Sequence, residues 1–264
     1  METHSAHTVA MSTRKTVLIT GATSGIGLEL ARRYADSEAD VFITGRPGAR
    51  FDNAQASVQG SKAIPGDLSR PEDREHLAEV IRSGPGALDV LVNNAGIQRR
   101  VSIAADKGQW QERQQELDLL LAAPIHLVHL LTPLLLTSDK PNQAKQIVNV
   151  TSGGAFFPQV FAPAYSAAKA ALHSYTENLR FAFANTAVAV TELIPPAVAT
   201  GLGDTGPGHG ADLDAFIDEV FPQLELRSEY VGYGPTAAPD FRSRLAADHD
   251  RFLATSAQSD VLRH

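Results

Sequence analysis

Residues 14–235 predict an α/β domain with one doubly wound parallel sheet and helices on both faces. Three observations carry that reading. Short β-rich runs alternate with helical patterns, and no repeat, low-complexity tract or linker divides residues 15–235. The β-rich runs are apolar nearly throughout, the pattern of strands covered on both sides. The first run leads through a glycine-rich turn directly into a helical pattern, as in sheets that hold ligands beyond their strand ends.

In order, the strand-like runs are 16–20, 41–44, 63–65, 88–92, 146–150 and 188–194. Helical patterns lie between them at 26–37, weakly at 52–59, and at 71–82, 107–136 and 163–185. Right-handed crossovers place the ligand crevice at the carboxyl ends of the strands. The pattern loosens after Ile194. Residues 197–210 hold five glycines and read as a flexible loop. A short amphipathic helix at 212–224 and a last strand at 229–234 follow. The expected substrate loop spans 197–225, and 235–264 reads as a polar, weakly helical tail.

The first turn is Thr20-Gly21-Ala22-Thr23-Ser24-Gly25-Ile26-Gly27. Glycines at a strand-to-helix junction let backbone N–H groups and a helix N-terminus approach a pyrophosphate. The spacing is Gly-x-x-x-Gly-x-Gly, not the commoner Gly-x-Gly-x-x-Gly. The second strand ends at Gly45-Arg46, where a carboxylate would grip a ribose 2′-hydroxyl and an arginine a 2′-phosphate. Arg46 therefore favours NADP(H) over NAD(H). Asp67 and Leu68, after the third strand, are placed to hold an adenine edge, and Asn93-Asn94-Ala95-Gly96 closes the fourth.

The chemistry resides in Tyr165-Ser166-Ala167-Ala168-Lys169, with Ser152 thirteen residues upstream. On a helix, Tyr165 and Lys169 are stacked on one face. A cation close to a phenol stabilises the phenolate and makes it a general acid/base. Ser152, at the end of the run 146–151, can offer its hydroxyl to the same substrate oxygen.

Composition bounds the alternatives. The chain of 264 residues is 43% hydrophobic and 20% charged, with a formal charge of −7 and no cysteine. The charge argues against a nucleic-acid or anionic-membrane partner, and disulfides and thiol chemistry are excluded. Residues 1–13 read as a disordered lead-in without the apolar core of a secretory signal, so a cytoplasmic location is expected. The run 119–136 has the length of a membrane span, but Pro124, His126, His129, Thr132 and Pro133 make it a buried helix.

Together, 20–27, 93–96, Ser152, Tyr165 and Lys169 resemble the short-chain dehydrogenase/reductase superfamily over roughly 14–200. The resemblance implies a Rossmann-like domain with a nicotinamide beside Tyr165. It further implies that Lys169 binds the nicotinamide ribose and lowers the tyrosine's pKa, while Ser152 holds the substrate carbonyl or alcohol. It puts Asn94, Ala95 and Gly96 on the adenine-ribose side. Pro195, Val198 and Thr200 would pass over the nicotinamide. A homodimer or homotetramer packed through 107–136 and 163–185 is expected. Two departures stand out. Leu120 occupies the place of a helix asparagine that supports a proton-relay water, although its main-chain carbonyl remains and Glu116 lies one turn earlier. Pro196 follows Pro195 where the family has glycine, removing an N–H.

Phe156, Phe157 and Phe161 lie where the family builds a substrate wall, which suggests a substrate apolar around its carbonyl; Gln98 is a further pocket candidate. His126 and His129 lack a third ligand, so no metal is expected, and His173 reads as a packed residue. Two alternatives to carbonyl–alcohol interconversion by hydride transfer follow from these residues. One is a nucleotide-binding sensor or scaffold with weak turnover, motivated by Leu120. The other is an isomerase or eliminase using the same side chains.

Overall fold

The computed structural model describes residues 14–137, 144–204 and 209–256. The lead-in 1–13, part of the loop 197–210 and the last residues of the tail lie outside them. Seven parallel strands form one sheet in the order β3-β2-β1-β4-β5-β6-β7. They are β1 (Thr16–Thr20), β2 (Asp40–Gly45), β3 (Lys62–Pro65), β4 (Val90–Asn93), β5 (Lys145–Val150), β6 (Val188–Ile194) and β7 (Tyr230–Gly232). The helices are α1 (Gly25–Asp36), α2 (Ala49–Ser57), α3 (Pro71–Ser83), α4 (Trp110–Leu117), α5 (Ala123–Leu136), α6 (Pro163–Phe183), α7 (Leu213–Glu225) and α8 (Pro239–Ser256).

The strands are apolar throughout because the pleat sends successive residues into two separate cores. Val17, Ile19, Val41, Ile43, Val90 and Val92 face Leu30, Tyr34, Phe216 and Val220 of α1 and α7. Leu18, Phe42, Leu91 and Ile147 face Leu77, Ile81, Leu127 and Leu131 of α3 and α5. The run 107–136 is therefore an interior element of the fold along its α5 portion. Residues Trp110–Leu136 are helical without a gap, passing from α4 through a π turn at Asp118–Ala122 into α5. In that turn the Ala123 N–H reaches back five residues to the Asp118 carbonyl. Pro124 has no N–H to give the carbonyl four residues earlier, at Leu120, which explains the local loss of α register.

The strand order reverses between β1 and β4, so the loops following these strands diverge and open a crevice at their carboxyl ends. The opposite end is clamped by charge. Buried Lys145 Nζ lies 2.5 Å from Asp89 Oδ1, and Asp89 Oδ2 accepts the Thr16 N–H at 2.7 Å, tying the entrances of β1, β4 and β5 together. Beyond β7, the stretch read as a weakly helical tail includes the 18-residue α8. Phe241 and Leu245 of α8 are buried with Ile194 and pack against Phe156 and Tyr230.

Candidate active site

A cleft of about 860 Å³ occupies the crevice. All the cofactor-binding and catalytic residues named from the sequence line it except Gly27, which lies behind the turn. The turn is a close-packed cradle. Gly21 has φ 65°, and a Cβ there would come within 2.6 Å of Ala95 Cα. At Gly25 a Cβ would meet Thr200 Cβ at 2.8 Å, so the first glycine of α1 is what lets the segment after β6 approach the helix N-terminus. Thr20 ties the cradle to β4. Its Oγ1 donates to the Val92 carbonyl at 3.2 Å and accepts the N–H groups of Asn94 and Ala95 at 2.9 and 3.0 Å. Asn94 Nδ2 donates to the Thr20 and Gly21 carbonyls. Asn94 and Ala95 thus support the turn from below as well as bordering the cleft, and Thr20 is a positioning residue that motif spacing alone did not single out.

Arg46, just after β2, and Arg50, in the first turn of α2, both line the cleft, and among the described residues neither has a carboxylate partner. Asp67 is less available than the sequence suggests, because its Oδ1 accepts both the N–H and the hydroxyl of Ser69. The residues present fit a phosphorylated dinucleotide. A glycine cradle stands at a helix N-terminus, and two guanidinium groups without a carboxylate partner among the described residues line the same cleft.

The other end of the cleft holds the catalytic candidates. Proline at the first position of α6 and its alanine-rich sequence favour the helix, and the helix brings Tyr165 and Lys169 onto one stripe. Lys169 Nζ lies 5.8 Å from the Tyr165 ring centre and donates to the Val150 carbonyl at 2.6 Å. β5 runs directly into Ser152, whose Oγ accepts the Gly154 N–H at 3.0 Å and starts the turn Gly153–Ala155. All three side chains are buried at the cleft floor. Contrary to the expectation that Lys169 lowers it, the Tyr165 phenol is pushed above its ordinary value by burial, with Ser152 pulling it down by hydrogen bonding and the Glu116 carboxylate raising it. Burial lowers Lys169 to about 8, opposed by the negative charge of Glu192. The lysine is thus brought into the range where an ammonium exchanges its proton.

Leu120 is buried beside Tyr165 and Ala162, and its methyl approaches Gly96. Glu116 is also buried. It accepts the Arg99 N–H at 3.0 Å, and burial raises its pKa. The expected phenylalanine wall is only partly present. Phe161 borders the cleft with Arg100 4.2 Å above its ring. Phe156 and Phe157 turn away onto α8, meeting Phe241 edge-on and at a tilt, beneath Arg244. The short turn after Ser152 rotates them off the site, a local geometry that spacing does not encode. Gln98 does line the cleft, donating to Gln159 Oε1 at 2.9 Å. Pro195 gives its carbonyl to the Gly153 N–H, so the Pro195-Pro196 pair still anchors the loop. That loop is closed at its base by a bridge between Val198 and Ala211.

His126 and His129 stack on each other with ring centres 6.4 Å apart. His173, read as a packed residue, packs edge-on against Phe156 but also binds Glu192. Glu192 itself drew no attention in the sequence, since its partners come from β5 and α6.

Comparisons with known proteins bear on the family and the fold. The family model described as short chain dehydrogenase matches residues 15–206. The chain is 42% identical over 190 residues to the uncharacterized oxidoreductase DltE of Bacillus subtilis (strain 168), covering 72% of this chain and 74% of that one. Its fold matches, at a TM-score of 0.79, a short-chain dehydrogenase from Sphingobium yanoikuyae solved in complex with NADPH; the two are 23% identical, with 95% and 98% of the chains covered. A 3-ketoacyl-(acyl-carrier-protein) reductase from Brucella melitensis complexed with NADH matches at a TM-score of 0.67 and 30% identity, over 72% of this chain and 78% of that one. With the glycine cradle, the crevice and the Ser-Tyr-Lys floor in one connected cleft, the chain belongs to the short-chain dehydrogenase/reductase family of oxidoreductases.

Proposed function

We propose that the protein is an NADP(H)-dependent reductase that interconverts a small-molecule carbonyl compound and its alcohol. The observation that carries this reading is the meeting of Ser152, Tyr165 and Lys169 at one end of a cleft whose other end is the glycine cradle. The cradle, with Arg46 and Arg50, would hold the dinucleotide, and Lys169 would bind its sugar. A bound nicotinamide supplies hydride chemistry, the part of the reaction that side chains cannot perform. Ser152 Oγ hydrogen-bonds the substrate oxygen, Tyr165 gives that oxygen its proton, and the Lys169 ammonium stabilises the phenolate left behind. An apolar flank of the substrate rests on Phe161, Val101 and Leu119, which border the cleft. We place the enzyme in the cytoplasm as a homodimer or homotetramer.

The test is a panel of ketones, aldehydes and imines with NADPH, followed by nicotinamide absorbance. Carbonyl-dependent oxidation of NADPH supports the reading. Nucleotide binding without turnover would favour a sensor, the alternative that Leu120 motivates, and product without absorbance change an isomerase or eliminase.

A further inference from the structure

On the side of α4 and α5, Tyr165 is walled by hydrocarbon from Leu117, Leu120 and Leu121, apart from Glu116. On the opposite side a polar stripe of α6 continues past Tyr165 and Lys169 to groups that hydride transfer does not employ. Tyr165, Lys169, His173 and Glu177 follow one another at four-residue intervals along α6, a single stripe of the helix. Glu192 of β6 faces this stripe with 0% exposure. Its Oε1 accepts the Thr151 hydroxyl at 2.7 Å, and its Oε2 lies 2.9 Å from His173 Nδ1. Thr151 follows Val150, whose carbonyl holds Lys169 Nζ, so the hydroxyl bound by the carboxylate belongs to the residue next to the ammonium's anchor, while Lys169 and Glu192 make no direct ion pair. His173 completes the series, with 24% of its side chain in solvent.

We infer that Glu192 and His173 form the path by which Lys169 regains a proton from solvent after the phenolate has taken one; the inference rests on the carbonyl-reductase reading above. As the carbonyl carbon is reduced with NADPH as the hydride source, the substrate oxygen takes the phenolic proton. The phenolate takes a proton from the Lys169 ammonium, the amine takes one by way of a water from the Glu192 carboxyl, that carboxylate is reprotonated by the His173 imidazolium, and the imidazole takes one from solvent. One proton enters and one NADPH is oxidised for each carbonyl reduced, so no further reductant is required. The charged groups acting on His173 are Glu192, Glu177 and Arg180, and Lys169 lies one helical turn before it on the same stripe. Glu177 is held by Arg180, Tyr230 and His249 of β7 and α8, leaving Glu192 as the exchange partner. Arg244 of α8 is set behind Phe156, whose ring lies 4.6 Å from the imidazole.

Two measurements test the path. The first uses protein without nucleotide and follows His173 by ¹⁵N NMR through a pH titration. Lys169→Met should move its midpoint upward by removing a neighbouring cation, and Glu192→Gln should move it downward. A midpoint unmoved by Lys169→Met overturns the connection. The second measures NADPH-dependent reduction of acetophenone, benzaldehyde and cyclohexanone. His173→Asn keeps an N–H toward Glu192 but carries no exchangeable charge. It should lower kcat about tenfold, less than the ~10²–10⁴-fold of a direct general acid, leave KM for NADPH unchanged, and abolish the fall of kcat as pH rises through the imidazole's titration. Added imidazole should restore the rate. A profile superimposable on wild type, or a loss that imidazole leaves in place, overturns the path; His173→Gln repeats the test if the Asn variant melts early. Absence of turnover in the wild type, or wild-type rates in Tyr165→Phe, would instead sink the reductase reading itself.

Discussion

Thr20 Oγ1 serves three backbone groups at once, tying the glycine turn to the end of β4 at the edge of the cleft. Arg46, by contrast, is exposed and lacks a carboxylate partner among the described residues. Its replacement should act on the ligand and leave the fold unchanged. Arg46→Asp should cost NADPH about 1.5–3 kcal/mol, roughly ten- to a hundredfold in affinity, and improve NADH; isothermal titration with both nucleotides checks it, and an unchanged ratio rejects the assignment. His173 carries a stability prediction. Burial lowers its pKa, but the hydrogen bond and charge of Glu192 outweigh this and hold it above its ordinary 6.5. A group with a raised folded pKa stabilises fully below its unfolded value and loses that contribution as pH rises through the folded one. The melting-temperature gap between wild type and His173→Asn should therefore be widest below its ordinary 6.5 and narrow as pH rises through the raised folded value.

At the scale of elements, the Lys145–Asp89 pair fixes the entry ends of three strands. Lys145→Met would strand a buried carboxylate and should destabilise by about 3–5 kcal/mol, read from denaturant unfolding; a loss under about 1 kcal/mol would mean that Asp89 finds water instead. Helix α8 rests on few apolar contacts, so Phe241→Ala should cost about 3–5 kcal/mol and loosen Phe156 beside His173, detectable by urea melts. These elements also mark how far the sequence could be read. The four-residue spacing of Tyr165 and Lys169 is local and implies their stacking before any fold is known. The strands were legible because burial on both faces makes them apolar. Glu192 was not legible, since its role depends on pairing β6 with β5 in a register that places it opposite Asn149. Nor was α8, whose buried face amounts to two side chains, Phe241 and Leu245. The π turn follows from Pro124, but a proline in a helical pattern specifies a disruption and not its form.

Across the whole molecule, a parallel sheet gathers its catalytic loops at one rim and its structural charges at the other. The rim beyond β1 and β2 supplies the cradle and the arginines. The rim beyond β4, β5 and β6 supplies Gln98, Ser152 and the Pro195-Pro196 loop. Placement of Tyr165 at the junction of these two halves is the centre of the account, and one variant addresses it directly. Tyr165→Phe removes a single hydroxyl from a buried ring that already packs against Leu120 and Ala162. Measured side by side, its NADPH-dependent carbonyl reduction should fall by about 10²–10⁴-fold while its NADPH dissociation constant stays within about twofold of wild type. Turnover that survives the loss of the hydroxyl, or nucleotide affinity that collapses with it, would contradict the role given to this tyrosine.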